Sequence, residues 1–154
     1  MIQGKWFPQG ADLSDALSVR RGVFAREADD LDRESWNMVV YLDDAPVGTG
    51  RIWWRDGSFW IGDIGVLPAF RGRKLGDLAL RLLLFKAQSH AAREVRLRTP
   101  EETADFFARL GFRPATGPEA APCQGMTEMF LPGVDIDLDT CKACKKKDCP
   151  SRRE

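Results

Sequence analysis

The chain has 154 residues, about the length of one domain, and a domain of this size folds without needing a metal or a disulfide. Its 23 lysine and arginine residues balance 23 aspartate and glutamate residues, which argues against a nucleic-acid binder or an anionic-membrane binder. No run approaches the roughly 20 apolar residues of a membrane span, and the amino terminus lacks the order of a secretory signal. We therefore expect a cytoplasmic protein, whose four cysteines are thiols or metal ligands rather than disulfide partners.

The first half of the chain predicts one helix followed by three strands. Apolar residues recur at helical spacing over residues 12–26, with Asp12 as a possible cap. A charged loop over residues 27–35 follows. Three β-rich runs come next, separated by Asp, Pro and Gly turn residues, at residues 36–42, 47–54 and 59–67. These runs predict an antiparallel meander.

The second half predicts a long helix that leads into a parallel strand. A broad apolar stripe runs from Gly72 to about Ala91, and residues 94–97 form a short buried run. Strand, helix and strand in this order imply a parallel pair with a right-handed crossover. The fold class is therefore mixed α/β, a central sheet flanked by helices.

A second boundary is marked by a predicted capping box. Thr99 is the expected cap, Pro100 the first helical residue and Glu102 the partner of the cap, and Gly111 ends this helix. Strands are expected from Phe112 onward and at residues 127–131. We expect residues 1–132 to form the domain and residues 133–154 to form a cysteine- and lysine-rich tail.

The segment GVLPAFRGRKLG, residues 65–76, is a candidate anion site. The first amides of a helix have no carbonyl partner inside it, and the helix dipole favours a negative charge there. Gly72 and Gly76 allow a ligand to approach the backbone, and Arg71, Arg73 and Lys74 add positive charge. An ordinary strand-to-helix turn with a basic rim is the alternative interpretation.

Four segments in the same order resemble the GNAT acetyltransferase superfamily, in particular its ElaA-like branch. Residues 66–76 resemble the family's lead-in and its cofactor motif, with Arg71 and Gly76 at the motif ends, and residues 106–112, FFARLGF, resemble the motif F-Y-x-x-L-G-F. The segments VRRGVF at 19–24 and VGTGR at 47–51 resemble the ElaA-like branch. The resemblance implies a mixed sheet that binds acetyl-CoA in a gap between two splayed strands.

The resemblance also implies which residues contact acetyl-CoA. The diphosphate is expected on the amides of residues 71–76, and the backbone of residues 64–67 is expected to pair with the pantetheine arm and polarise the thioester carbonyl. The implied contacts are Ile64, Val66, Leu67, Arg71, Gly72, Arg73, Lys74, Gly76 and Phe107. Two positions depart from the family pattern: Lys74 replaces the middle glycine, and Phe107 replaces the tyrosine that supplies the acid. The chain has a single tyrosine, Tyr41, on a different strand.

A general base is also needed, because an amine with a pKa near ~10 is protonated at neutral pH. Asp63 and Glu128 are the two candidates, and for each the alternative is a solvated strand residue. The single histidine, His90, is expected at the surface. Trp53 and Trp54 must point to opposite faces of their strand, so one of them is a candidate for the acceptor cleft.

The cysteines form a possible metal site. Cys141, Cys144 and Cys149 have the spacing C-x2-C-x4-C, with Cys123 upstream, and four thiolates can hold zinc or an iron–sulfur cluster. Nearby lysines and arginines would lower the pKa of these thiols. The alternative is an exposed basic tail without a metal.

The predicted function is N-acetyl transfer from acetyl-CoA to the primary amine of a small molecule or peptide, by direct attack. The alternative is a non-catalytic CoA-binding or sensing module whose tail binds a metal or a partner. A metal-dependent interaction protein is a third possibility. Relatives in the superfamily are often dimers, which makes a homodimer possible.

Overall fold

The computed structural model describes residues 1–115 and 125–138. In these ranges it contains three α-helices and one sheet of seven strands. The helices are α1 (Ser14–Phe24), α2 (Leu75–Ser89) and α3 (Ala104–Ala108). The strands are β1 (Ile2–Phe7), β2 (Trp36–Leu42), β3 (Ala45–Arg55), β4 (Ser58–Val66), β5 (Glu94–Pro100), β6 (Arg113–Pro114) and β7 (Met126–Pro132).

The order of strands in the sheet is β1-β2-β3-β4-β5-β7-β6. Neighbouring strands are antiparallel except β4 and β5, which are parallel. The connection between these two strands passes through α2, as a parallel pair requires. The predicted fold class, a mixed sheet with an antiparallel meander before one parallel pair, is confirmed.

Helices cover both faces of the sheet. The apolar side of α2 contributes Leu80, Leu83 and Leu84 to the main core, together with strand residues such as Met38 and Ile61. Each buried leucine contributes roughly 2 kcal/mol through the hydrophobic effect. On the opposite face, α1 forms a smaller apolar cluster with β2. We refer to these two sides of the sheet as the α2 face and the α1 face.

Strand β1 has no counterpart among the predicted elements. It pairs with β2 at the edge of the sheet, from Ile2 opposite Leu42 to Phe7 opposite Asn37. Most of its residues are exposed, so its sequence lacks the apolar alternation that marks a half-buried strand. A Cβ atom at Gly4 would lie 2.5 Å from Leu82 Cδ1 on α2, so a larger residue here would require the Leu82 side chain to shift.

The predicted capping box after β5 does not form. Thr99 belongs to β5, where it lies opposite Thr127, and its hydroxyl is hydrogen-bonded to the hydroxyl of Thr103. A short 3-10 turn, Glu101–Thr103, comes before α3, which begins only at Ala104. Strand pairing with β7 therefore overrides the local capping signal. Gly111 has the expected left-handed conformation, with φ of 102°.

The chain continues to pack against the domain after residue 132. The amide of Gly133 donates a hydrogen bond of 2.7 Å to the carbonyl of Arg93, and Ile136 is buried in the main core. Packing therefore extends past the predicted domain boundary to Leu138, the last described residue before the remainder of the tail. In the described ranges, no helix has the length and apolar character that a membrane crossing needs.

Candidate functional site

The turn between β4 and α2 presents a row of backbone amides without protein partners. Helix α2 begins at Leu75, three residues later than predicted, because Gly72 and Lys74 adopt left-handed conformations with φ of 83° and 62°. Within the described ranges, no residue accepts a hydrogen bond from the amides of residues 72–77, and Lys74 provides no side-chain cap. Successive amides of this kind, at the positive end of a helix of 15 residues, form a cradle for an anion.

The basic residues of this turn have different surroundings. The side chain of Arg71 folds back, and its Nε donates a hydrogen bond of 3.0 Å to the carbonyl of Val66, which holds the turn against β4. Arg73 and Lys74 are exposed and make no ion pair with the described residues, although Arg73 lies over the ring of Phe70. These two side chains can therefore provide charge to an anion at the amides.

Gly76 lies on the first turn of α2, between β4 and α3. A Cβ atom at this position would meet Phe106 at 3.7 Å and Val66 at 3.8 Å, which are ordinary contacts. No neighbour in the protein therefore requires a glycine here, and the missing side chain leaves the space of a methyl group between Val66 and Phe106, which we call the passage. Phe106 forms the other wall of this passage.

Strands β4 and β5 separate beside this passage. They pair only at Phe59 with Val95 and at Trp60 with Arg96, and beyond this point β5 continues with β7 alone, as far as Pro100. The edge of β4 over residues 61–66 therefore has no strand beside it on the β5 side. The wedge between these two parallel strands is a gap that an extended ligand arm could enter.

The predicted cofactor contacts on β4 are not equally available. Both backbone groups of Leu67 are engaged within the protein: its amide donates to Val47 at 2.9 Å, and its carbonyl accepts from Phe70 at 2.9 Å. The carbonyl of Val66 accepts the Arg71 hydrogen bond. Apart from that carbonyl, the backbone groups of residues 64–66 that face away from β3 are what remains to pair with a ligand.

A β-bulge in β4 determines where Asp63 points. Thr49 lies opposite Gly65 and Arg51 opposite Gly62, so two residues of β4, Asp63 and Ile64, face one residue of β3. Asp63 takes the left-handed conformation with φ of 50°, which is uncommon for a residue other than glycine. The bulge directs the carboxylate toward the α1 face, where it contacts Arg20, Arg26 and Arg51.

Asp63 belongs to a buried ionic network that the sequence analysis did not identify. Arg20 donates hydrogen bonds of 2.9 Å to both carboxylate oxygens of Asp32, and one of 2.7 Å to Asn37. Arg51 donates two hydrogen bonds, of 2.7 and 3.0 Å, to Asp29. Arg20 and Arg51 are among the residues that resemble the ElaA-like motifs, and Asp29 and Asp32 come from the segment predicted as a charged loop. The charge of that segment was the signal that could have indicated their role.

The electrostatics of this network favour ionised carboxylates. Burial alone would raise the pKa of Asp32, but the hydrogen bonds from Arg20 and from the Asp29 amide, together with the charges of Arg20 and Arg51, outweigh it. The pKa of Asp32 therefore lies well below its ordinary value of 3.8. The hydrogen bonds from Arg51 likewise lower the pKa of Asp29.

The remaining candidate residues, Glu128 and Phe107, come from β7 and α3. Glu128 on β7 is nearly buried, accepting a hydrogen bond of 2.8 Å from Arg96 and one of 3.4 Å from Arg98. Phe107 is buried between the rings of Phe106 and Phe112.

Tyr41 and His90 lie away from the gap. Tyr41 donates a hydrogen bond of 2.6 Å to Asp15, and burial together with this bond raises the pKa of Tyr41 to about 12. His90 is exposed at the end of α2, where the sequence placed it. Neither side chain is positioned to replace the missing tyrosine at residue 107.

The four candidate metal ligands, Cys123, Cys141, Cys144 and Cys149, lie outside the described residues. Within residues 1–115 and 125–138, no group of three or more histidine, cysteine, aspartate or glutamate side chains could hold a metal ion. The zinc or iron–sulfur site therefore stays a prediction.

Comparison with known proteins identifies the family. The model of the acetyltransferase (GNAT) family matches residues 7–112. The chain belongs to this family. It is 31% identical over 109 residues to the uncharacterized N-acetyltransferase YjcF of Bacillus subtilis, a match that covers 66% of this chain and 78% of that protein.

Solved structures show the same fold. Escherichia coli ElaA is similar with a TM-score of 0.69 and 22% identity, covering 84% of this chain and 99% of ElaA. A GNAT family acetyltransferase from Elizabethkingia anophelis, solved with acetyl-CoA bound, is similar with a TM-score of 0.67 and 14% identity. The match covers 85% of this chain and 97% of that protein. The predicted resemblance is confirmed, and this GNAT protein is an acyltransferase.

The ionic network predicts how stability depends on pH. Replacing Asp32 with asparagine removes one of the two carboxylates that Arg20 and Arg51 share, so we expect a loss of about 3 kcal/mol in the free energy of unfolding at pH 7. Because the pKa of Asp32 is lowered on folding, its contribution is complete above the ordinary carboxylate pKa of 3.8 and declines as the pH falls below that value. Urea unfolding of wild type and Asp32→Asn at several pH values measures this difference.

The matched control for that measurement is Asp30→Asn. Asp30 is exposed, lies two residues away on the same segment and makes no ion pair with the described residues. We expect this variant to change stability by less than about 0.5 kcal/mol. If the free energy of unfolding of wild type exceeds that of Asp32→Asn by the same amount down to pH 2, the account of the network is contradicted.

Proposed function

We propose that this protein transfers an acetyl group from acetyl-CoA to a primary amine by direct attack. The observation that carries the proposal is the continuity between the amide cradle of residues 72–77, the passage at Gly76 and the open edge of β4. A CoA ester has an anionic diphosphate and an extended arm. The amide cradle can bind the diphosphate, and the open edge of β4 can pair with the arm.

The residues of the turn would hold the diphosphate of CoA. The amides of residues 72–77 have no protein acceptor, so binding an anion satisfies donors that would otherwise depend on water. Lys74, which replaces the family's glycine, is exposed at the start of α2, so its positive charge can add to that of the amides. Arg71 serves the turn itself through its bond to Val66.

The edge of β4 would position the reacting group. Acetyl-CoA, when bound, supplies the thioester, and attack by an amine forms the C–N bond of the product while the C–S bond breaks. Backbone amides between Ile64 and Val66 are the available donors for the carbonyl oxygen. A fixed donor there lowers the barrier, because the oxygen gains negative charge during the attack.

Two carboxylates are candidates for handling the proton of the amine. Asp63 lies on β4 next to the proposed carbonyl site, and Glu128 lies on β7, across the gap. Arginine side chains contact both of them. We favour Asp63 as the group that faces the acceptor, because its strand also carries the proposed donors.

Protonation of the departing thiolate needs no tyrosine. A thiol has a pKa of about 8.5, so a free thiolate at neutral pH takes a proton from water. This step is therefore compatible with Phe107, which has no hydroxyl group. The same residue nevertheless favours the second candidate function, a CoA-binding or sensing module without turnover.

Two measurements separate the two functions. One follows release of free CoA thiol in the presence of primary amines, and the other follows acetyl-CoA binding by calorimetry. The transferase predicts saturable binding and amine-dependent thiol release. Binding with no release from any amine would favour the sensing module, and absence of binding would reject both.

The variant Gly76→Ala tests the passage specifically. Alanine makes only ordinary contacts here and is the better helix former, so we expect the free energy of unfolding to stay the same or to rise by up to about 1 kcal/mol. The added methyl group narrows the passage, so we expect acetyl-CoA binding to weaken by about tenfold, or about 1.4 kcal/mol. Unchanged acetyl-CoA affinity in a stable variant would contradict the proposed path of the ligand.

A further inference from the structure

Three cations surround Asp63, and they differ sharply in accessibility. The side chains of Arg20 and Arg51 are 1% and 5% exposed, and each is also bound to other members of the buried network. Arg26 is 49% exposed, and Asp63 is its one ionic partner among the described residues. Arg26 can therefore leave Asp63 without breaking the network, whereas the other two cannot.

The two oxygens of the Asp63 carboxylate divide between these cations. Oδ2 lies 3.5 Å from Arg20 Nε and 3.3 Å from Arg51 Nη2, while Oδ1 accepts a hydrogen bond from Arg26. Departure of Arg26 would leave one oxygen held in place by fixed positive charges and the other open toward solvent. The carboxylate would keep its orientation, because the bulge and the buried arginines determine it.

The place that Arg26 occupies has the features of a site for a cation. Its guanidinium lies 5.1 Å from the centroid of the Phe24 ring, and aromatic faces attract cations. The segment also follows the carboxyl end of α1, where the helix dipole favours positive charge. A carboxylate oxygen, an aromatic ring and a helix end therefore converge on one position, which we call the Arg26 site.

The Arg26 site is adjacent to the proposed reaction centre. The ring of Phe24 lies against β4 at Gly65, where a Cβ atom would be 3.0 Å from Phe24 Cε2. Asp63 and Gly65 flank Ile64, whose backbone we place beside the thioester carbonyl. A cation in the Arg26 site is thus next to the atoms that an acceptor nitrogen must reach.

The charge balance of the ionic network determines which charge an incoming group should carry. Arg20, Arg26 and Arg51 balance Asp29, Asp32 and Asp63, so the network is neutral when Arg26 is bound. Without Arg26, three carboxylates face two guanidinium groups, which leaves one uncompensated negative charge at a half-enclosed position. Such a position favours a cation and disfavours an anionic or neutral acceptor.

We propose that the acceptor is a primary amine that binds as its ammonium ion in the Arg26 site, displacing Arg26 from Asp63 Oδ1. This inference rests on the proposed function and adds the docking position of the acceptor, its charge on binding and the residue that it displaces. The ammonium donates a hydrogen bond to Asp63 Oδ1, which orients the nitrogen, and it loses one proton to solvent on the side that Arg26 has left. The neutral nitrogen then attacks the thioester carbon and the C–N bond forms. The C–S bond breaks, the nitrogen loses its second proton to solvent, and the thiolate takes a proton from water.

The test compares KM values for n-butylamine, 2-phenylethylamine and 1,4-diaminobutane in wild type and Arg26→Gln. Glutamine removes the competing cation, so we expect KM for the amines to fall about threefold, as loss of a half-exposed ion pair implies, with no change in the KM for acetyl-CoA. The matched control is Arg33→Gln, which removes one positive charge from an exposed residue that makes no ion pair with the described residues. This control should leave both KM values unchanged.

Two further variants, Asp63→Asn and the double variant that combines it with Arg26→Gln, complete a double-mutant cycle. Asp63→Asn should raise KM for the amines about tenfold, and Arg26→Gln should no longer lower KM in that background, because the two residues act on the same ammonium. If Asp63→Asn does not fold, Phe24→Leu serves instead, since loss of the aromatic face should raise KM for the amines by a fewfold and leave the KM for acetyl-CoA unchanged.

The outcomes separate this inference from the proposed function. Turnover by wild type with an amine KM that Arg26→Gln leaves unchanged or raises would overturn the Arg26 site while the transferase function stands. Equal effects of Arg26→Gln and Arg33→Gln would also overturn it, because they would indicate a general change in surface charge. Failure of wild type to bind acetyl-CoA would overturn the proposed function itself, and binding without acetylation of any of the three amines would overturn the amine acceptor in both proposals.

Discussion

The separation of β4 from β5 after Trp60 is the constraint on which the rest of the site depends. A parallel pair that continued to Val66 would satisfy the edge of β4 and leave no room between the strands. Instead, β5 follows β7, and β4 bends at Asp63 into a turn that Arg71 holds in place. The open edge, the passage at Gly76 and the amide cradle are consequences of this one divergence.

The bulge at Asp63 carries a conformational cost that the ionic network can offset. A residue other than glycine in the left-handed region costs roughly 1 kcal/mol, and pairing with buried guanidinium groups favours the conformation that brings the carboxylate to them. The same contacts connect α1, the segment around Asp29 and Asp32, and strands β2 to β4. The network thus joins the cofactor side of the molecule to the side where we place the acceptor.

The sequence was sufficient for the main architecture because its strongest signals were local. The meander, α2 and the turn at residues 65–76 follow from apolar periodicity and turn residues, and the order of the motifs pointed to the GNAT family. Strand β1 was missed because an exposed edge strand has little apolar alternation. The capping box at Thr99 failed because pairing of β5 with β7 extends through this residue, and such long-range pairing is not visible in a local pattern.

The candidate site was predicted in part for the same reason. The amide cradle is a local property of a turn and a helix, so the sequence located it. The surroundings of Asp63 depend on Arg20, Arg26 and Arg51, which come from α1, the residues after it and β3. Only the folded chain brings these charges together. Similarly, local spacing could not show that Phe106 lies beside Gly76.

The most direct test of the account follows the backbone amides by 15N–1H NMR while acetyl-CoA is added. We predict large shifts for the amides of residues 72–77 and for those of residues 61–66, and small shifts across β1 and β2. Titration with S-acetyl-pantetheine, which lacks the diphosphate, should move the second group and not the first. Binding of acetyl-CoA without any change at residues 72–77 would contradict the claim that this turn holds the diphosphate.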